Sequence, residues 1–106
     1  VPTVPGLFPQ VVHPDASLNS ATNPIARGGV VLLFATGVEA VAPAAISVGV
    51  GSQEAQILWA GPAPGLPGLT QINIQVPAGF FPAGRHEVTL RAAGVVAPAG
   101  TAIFLQ

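Results

Sequence analysis

The spacing of proline and glycine is the feature that most constrains the fold of this chain. Twelve prolines and 13 glycines are distributed over 106 residues, so the apolar stretches between them are short. The longest, residues 30–35, has six residues, whereas a membrane-spanning helix needs about 20. No stretch shows apolar residues recurring at helical spacing. We therefore expect no transmembrane segment and a fold built from strands.

Short runs of β-favouring residues alternate with turn-forming residues at intervals of roughly 8–12 residues. Residues 13–27 and 60–69 are rich in turn formers and are predicted to be loops, and Gly51-Ser52 is predicted to be a hairpin turn. This pattern is typical of antiparallel sandwiches. We predict a single all-β domain, residues 1–106, with an Ig-like antiparallel β-sandwich of about seven strands. The predicted strands are residues 7–13, 30–36, 46–50, 53–59, 70–76, 86–92 and 101–106.

The alternation within these runs predicts which side chains face the core. Residues 70–76 present Ile72, Ile74 and Val76 on one face and three amides on the other, so the apolar face is expected to be buried. Residues 30–36 are apolar on both faces, which predicts a strand buried on both sides. Trp59 alternates in step with Ala55 and Ile57, which predicts an indole in the core. The three outward amides are Gln71, Asn73 and Gln75.

Charge is scarce in this chain, which bounds its partners. Only seven residues are charged, none is lysine, and the net charge is −1, whereas about a quarter of the residues of a soluble domain are usually charged. Half of the residues are hydrophobic and the mean hydropathy is +0.64, so much of the surface is expected to be apolar and to serve contacts. Arg27, Arg85 and Arg91 are too few for a nucleic-acid groove. Without cysteine or lysine, disulfides, thiolate metal sites and isopeptide cross-links are excluded.

One arrangement could support hydrolysis. In an extended segment the spacing His13-x-Asp15-x-Ser17 places a base, an acid and a nucleophile on one face. The segment lies in a predicted loop without a glycine-rich cradle for an oxyanion. We therefore predict no catalytic residues and no enzyme activity.

The same loop offers two weak metal motifs. His13 and His86 could bind Zn²⁺ with Asp15 or Glu87 if the loops converged. Asp15-x-Ser17-x-Asn19 resembles the start of a calcium loop but lacks a second carboxylate and the glycine and glutamate that follow. Side chains of these types more often hold turns by bonding to nearby backbone. We predict neither a metal nor any other cofactor.

Aromatic residues are too few to predict a carbohydrate-binding surface, because there are one Trp, five Phe and no Tyr. Phe80 and Phe81 fall in a turn region. They either cap the end of the core, which we favour, or form an exposed aromatic patch.

The N-terminal segment, residues 1–12, is extended, apolar and interrupted by prolines that restrict it to a sheet edge. The sheet edges lack the lysines that usually prevent pairing with other chains. We predict that this segment is a donor strand that adds to a neighbouring sandwich, and such head-to-tail contacts build filaments. The predicted interface residues are Val1, Val4, Leu7, Phe8, Val11 and Val12.

Five stretches together resemble a known family: residues 23–28 (NPIARG), 30–37 (VVLLFATG), 57–66 (ILWAGPAPGL), 68–73 (GLTQIN) and 76–79 (VPAG). They are similar to the Ig-like domain described as the Solibacter uncharacterised C-terminal domain, which occurs at the ends of secreted acidobacterial and related bacterial proteins. The resemblance runs from about Pro5 to Gln106. It implies a secreted Ig-like sandwich, and it carries no functional residues because the family's function is uncharacterised.

These observations predict a non-enzymatic, secreted structural subunit. Its partners would be other copies of the same chain, assembled by β-strand addition into an extracellular filament. The alternative is a cell-surface or carbohydrate-attachment module from the C-terminus of a larger secreted protein. Since the chain begins at Val1, we expect that a signal peptide has been removed. Glycans on surface hydroxyls such as those of Thr3 and Thr22 would solvate a surface with so few charges.

Overall fold

The computed structural model of the protein describes residues 6–8, 11–38, 45–65, 68–78, 83–97 and 100–106. Within these ranges the regular structure is all β, and the strands pair antiparallel, as predicted. No helix of these ranges is long and apolar enough to cross a membrane. The strands are β1 (Gly6–Leu7), β2 (Val30–Thr36), β3 (Ile46–Val50), β4 (Gln53–Pro62), β5 (Thr70–Gln75), β6 (Gly84–Ala92), β7 (Val95–Val96) and β8 (Ala102–Leu105).

Two long strands, β4 and β6, carry the sheet around the core. The order is β1-β2-β5-β4-β3-β6-β7, and β8 also pairs with β6. Residues 53–55 of β4 pair with β3, and residues 56–62 pair with β5. In β6, residues 84–87 pair with β8 and residues 88–92 pair with β3. Because each long strand changes neighbours along its length, the sheet curls into a half-barrel compatible with a β-sandwich.

The inner face of this curled sheet forms the core. Ile72 and Ile74 of β5 are fully buried, as are Val31 and Leu33 of β2, and the predicted inward face of residues 70–76 is confirmed. Burial of each such side chain stabilises the fold by about 1.5–3 kcal/mol. The outer side chains of β2 are only half-buried, so the prediction that this strand is buried on both sides holds for its inner face alone.

The hairpin turns follow from glycine chemistry. Gly51 begins the predicted turn between β3 and β4 with φ 58°, and Gly94 in the turn between β6 and β7 has φ 81°. Glycine adopts positive φ without strain, which suits two-residue hairpin turns. The strand that follows, β7, was not predicted because two valines between turn residues give no readable alternation.

Residues 13–25, here called the anchoring loop, link strands β2 and β8. Just before the loop, Val12 exchanges backbone hydrogen bonds with Leu32 of β2, at 3.0 and 2.7 Å. At its end, the Ile25 N–H donates to the Phe104 oxygen of β8, and the Gln106 N–H donates to the Ile25 oxygen, both at 3.0 Å. The loop predicted at residues 13–27 is therefore confirmed, and its backbone links β2 with β8. The loop predicted at residues 60–69 is shorter than expected, because β4 extends to Pro62.

Candidate binding face

The described part of the predicted donor segment is paired with the chain's own sheet. Leu7 lies in β1 opposite Ala35 of β2, and the Phe8 N–H donates to the Phe34 oxygen at 2.9 Å. The Phe8 oxygen also accepts a hydrogen bond from the Thr101 hydroxyl at 3.0 Å. Phe8 itself is 44% exposed. The segment thus forms an edge of its own sheet in this chain.

Of the remaining predicted interface residues, Val11 lies in the core with 1% of its surface exposed. Val12 is half-buried beside β2. Val1 and Val4 lie outside the described residues. Contact of this segment with another copy stays a prediction, and the apolar side chain of Val11 is already covered within the chain.

The three residues predicted to share a face, His13, Asp15 and Ser17, form a turn. Ser17 donates its N–H to the Asp15 carboxylate at 3.0 Å and its hydroxyl to the same oxygen. These two bonds, the hydroxyl first, lower the pKa of Asp15 below its ordinary value of 3.8. The ring Nε2 of His13 lies instead 2.8 Å from the backbone oxygen of Asn23. The Ser17 hydroxyl therefore faces a carboxylate and not the imidazole that would activate it.

Asn19 has a structural role that the sequence did not reveal. Its Nδ2 donates to the Phe104 oxygen at 3.0 Å, and its Oδ1 accepts the Phe104 N–H at 2.6 Å. The side chain is 8% exposed, so it serves β8 as a neighbouring strand would. Among the described residues, no group of three or more His, Asp or Glu side chains is placed to hold a metal ion.

The prediction that Trp59 lies in the core is wrong. Ile57 pairs with Ile74, but Trp59 pairs with the next residue back, Asn73, so Leu58 is the extra residue of a β-bulge. A bulge shifts the alternation by one position, so the residues after it change face. Trp59 consequently lies on the outer face of the sheet, with 46% of its surface exposed.

Gly61 explains how the indole lies on that face. A Cβ atom built on Gly61 would stand 2.6 Å from Trp59 Cζ2 and 2.9 Å from Cη2. Successive residues on one side of a strand are about 7 Å apart, so the indole extends along β4 and covers the bare backbone of Gly61. One side of the ring is thereby supported, while nearly half of the residue's surface stays open to solvent.

Amide side chains flank the indole on the next strand. Gln71 lies opposite Gly61, and Asn73 lies opposite Trp59. Gln71 Nε2 donates to Asn73 Oδ1 at 2.8 Å, which fixes the two amides relative to each other. Among the described residues, the Gln71 oxygen and the Asn73 NH₂ group have no further hydrogen bond. Each amide thus keeps one unused polar group.

We call the surface formed by Trp59, Gly61, Gln71 and Asn73 the Trp59 face. Its cross-strand neighbours on β2 are Leu32 and Phe34, both half-buried. None of these paired positions carries a charge, so the face combines a supported aromatic ring with neutral donors and acceptors. The predicted outward orientation of the amides is confirmed. The alternation did not predict that the indole of Trp59 lies on the same face.

A second candidate surface lies on the outer side of β3 and β6. It is a shallow groove of about 340 Å³, and Gly49, which has no side chain, pairs there with Glu54 and Thr89. Arg91 also lines it. The described lining contains hydroxyls and two opposite charges but no histidine, so it lacks a base to activate a nucleophile.

The other predicted residues are dispersed. Arg85 and Arg91 are exposed on β6, and Arg27 is exposed at the end of the loop before β2, so the structure does not bring the three together on one element. Phe80 and Phe81 lie outside the described residues. The exposed large apolar side chains include Val95 and Val96 of β7, each 46% exposed.

No family model, curated protein or solved structure matches this chain. What the chain does must therefore be inferred from its own geometry.

Proposed function

We propose that the protein is a non-enzymatic attachment module of a secreted protein, and that it holds an extracellular surface through the Trp59 face. The observation that carries this proposal is the half-exposed indole, which is supported from below by Gly61. A core position would have served stability better, since burial of a large aromatic side chain is among the most stabilising contacts. The chain instead exposes its one tryptophan beside neutral amides.

Secretion and an Ig-like fold are what the resemblance to the Solibacter C-terminal domain implies, and the scarcity of charge supports a contact role. Association between surfaces of low charge needs no ionic steering and is little affected by salt. Aromatic residues on a rigid sheet supply contact area with little loss of side-chain entropy on binding. These properties suit attachment better than catalysis, for which the described residues offer no activated nucleophile.

Sedimentation with isolated bacterial cell envelopes and with insoluble polysaccharide particles tests the proposal. We expect the labelled domain to co-sediment, and Trp59→Ala to weaken binding by about tenfold, because the central aromatic contact is lost. Leu58→Ala is the matched control, since Leu58 is 47% exposed but lies outside the supported ring. Equal binding by wild type and Trp59→Ala would contradict the proposal.

Self-assembly into an extracellular filament is the second candidate, and the exposed edge at β7 favours it. Both residues of β7 are exposed valines, and no lysine protects this edge. Donation by the N-terminal segment would require exchange, with residues 6–8 of one copy pairing with β2 of the next, because these residues already pair within their own chain.

Light scattering after size exclusion, together with electron microscopy, tests assembly. We expect oligomers whose size increases with concentration, and Val96→Lys should reduce association if β7 is the contact. A chain that stays monomeric at all concentrations would exclude assembly while leaving the attachment module unaffected.

A further inference from the structure

We infer that the ligand of the Trp59 face is a neutral polysaccharide, with one pyranose ring stacked on the indole and its hydroxyls bonded by Asn73 and Gln71. This inference rests on the proposed attachment function and specifies its ligand class. The juxtaposition that carries it is a supported, half-exposed ring beside two amides that keep unused polar groups.

The indole is presented in the manner that stacking requires. Because Trp59 lies across Gly61, the strand supports the ring, and nearly half of the residue's surface stays exposed for a ligand. The face of a pyranose carries C–H groups, and the positive edges of such groups are attracted to the negative face of an aromatic ring. Charged or strongly curved ligands would use this surface less well.

The two amides suit the hydroxyl groups that surround a pyranose ring. Each hydroxyl both donates and accepts, so it is best met by side chains that offer both functions. Gln71 keeps an acceptor and Asn73 keeps a donor, and the 2.8 Å bond between them holds both in place. The two positions are about 7 Å apart along β5, so different hydroxyls of one chain of sugars would reach them.

Neutrality selects among hydroxylated ligands. The positions paired across the Trp59 face carry no charge, so a sulfated or uronic-acid polymer would lose solvation without gaining an ion pair. A proline-rich peptide is less suited, since such peptides dock in grooves lined by several aromatic rings, and here one ring lies on an open face. We therefore commit to a neutral glycan.

The chain supplies its own reporter, because Trp59 is its only tryptophan. We would titrate the domain with cellohexaose, xylohexaose and mannohexaose, following indole emission and the side-chain amide signals of Gln71 and Asn73 by NMR. Polygalacturonate is the charged comparison. We expect at least one neutral hexasaccharide to change the emission in a saturable way at concentrations up to about 10 mM, tenfold above a millimolar Kd.

Gly61→Val is the decisive variant, since it displaces the indole but keeps the reporter. The Cβ of a valine at position 61 would stand 2.6 Å from Trp59 Cζ2, and the three atoms nearest to it all belong to Trp59. Valine favours strands, so circular dichroism should show an unchanged fold. We expect hexasaccharide affinity to decrease about tenfold or more, whereas Leu58→Ala should stay within about twofold of wild type.

Three results would contradict the inference. If no hexasaccharide changes the emission or the amide signals, or if binding survives Gly61→Val, the glycan assignment is wrong. If polygalacturonate or a proline-rich peptide binds in place of the neutral sugars, the ligand class is wrong. If the emission changes with protein concentration alone, a second copy covers the face. Should Gly61→Val still abolish envelope binding while no sugar binds, only the ligand class fails and the attachment function stands.

Discussion

The anchoring loop and the Trp59 face both carry asparagine, but they use it in opposite ways. Asn19 in the loop is buried and gives both ends of its amide to the backbone of Phe104. Asn73 on the outer face is half-exposed and gives only its oxygen, to Gln71. A polar group whose bonding capacity is satisfied internally stabilises the fold, whereas one with spare capacity on a neutral surface is available to a ligand.

The largest expected effect is on the free energy of unfolding, which should decrease much more when Asn19 is replaced than when Asn73 is replaced. Asn19→Ala should lower the free energy of unfolding by about 2 kcal/mol, because it leaves the Phe104 N–H without a partner and removes one of the two hydrogen bonds to the Phe104 oxygen. Asn73→Ala should change it by less than about 0.5 kcal/mol, as is usual for surface substitutions. Urea denaturation monitored by Trp59 emission measures both. Equal losses in the two variants would refute the division between loop and face.

Much of the fold could be predicted from the sequence because alternation is a local signal. Residues 30–36 and 46–50 were predicted with the bounds that β2 and β3 have. The inward isoleucines of β5 followed from the same period of two. Antiparallel hairpins keep paired strands close in sequence, as in β3–β4 and β6–β7. The pairings of β2 with β5 and of β3 with β6 join strands that are distant in sequence, and local patterns did not predict them.

The candidate site could not be predicted because it depends on one register shift. Alternation from Ala55 continues through Ile57 to Trp59, and nothing in residues 53–59 marks Leu58 as the bulged residue. The pairing of Trp59 with Asn73 is set by the partner strand β5. The one available signal was the pair of outward amides, which indicated the face but not the ring on it.

The bonds of Asn19 were equally inaccessible, since Asn19 and Phe104 are 85 residues apart. The Asp-Ser-Asn composition of the loop predicted local turn bonds, and Asp15 and Ser17 do form them. Composition does not distinguish an asparagine that bonds its neighbours from one that bonds a distant strand.

A smaller effect on stability tests whether the hydrogen bond from Thr101 holds the N-terminal segment on its own sheet. Thr101 is 1% exposed and donates its hydroxyl to Phe8. Thr101→Val keeps the shape and removes this bond, which should cost about 1 kcal/mol and speed hydrogen exchange of the Phe8 amide. Thr89→Val on the outer face is the control and should be nearly neutral. Unchanged exchange at Phe8 would show that the segment is not held there, as a donor strand released to another copy requires.

Trp59→Ala should affect stability still less, which sharpens the contrast between core and face. Removal of a buried Trp or Phe typically costs 3–5 kcal/mol, but this indole is 46% exposed and rests on a glycine. We expect a loss of about 0.5 kcal/mol. Thermal unfolding by circular dichroism measures it, with Leu33→Ala in the core as the opposite case. A loss near that of Leu33→Ala would mean that Trp59 contributes to the core after all.

The smallest expected effect lies within the anchoring loop and depends on pH. Ser17 lowers the pKa of Asp15 below 3.8 in the folded protein, so the ionised carboxylate favours folding. This contribution is complete above the unfolded pKa and is lost as the pH falls through the lower folded pKa. An NMR titration of the Asp15 carboxyl should therefore give a midpoint below 3.8, and Ser17→Ala, which removes the hydroxyl donor, should raise it. Because Asp15 is fully exposed, solvent screens the interaction and the change in stability should be slight. Identical midpoints in wild type and Ser17→Ala would show that the turn does not hold its carboxylate in solution, and the loop would then depend on Asn19 and Ile25 for its position.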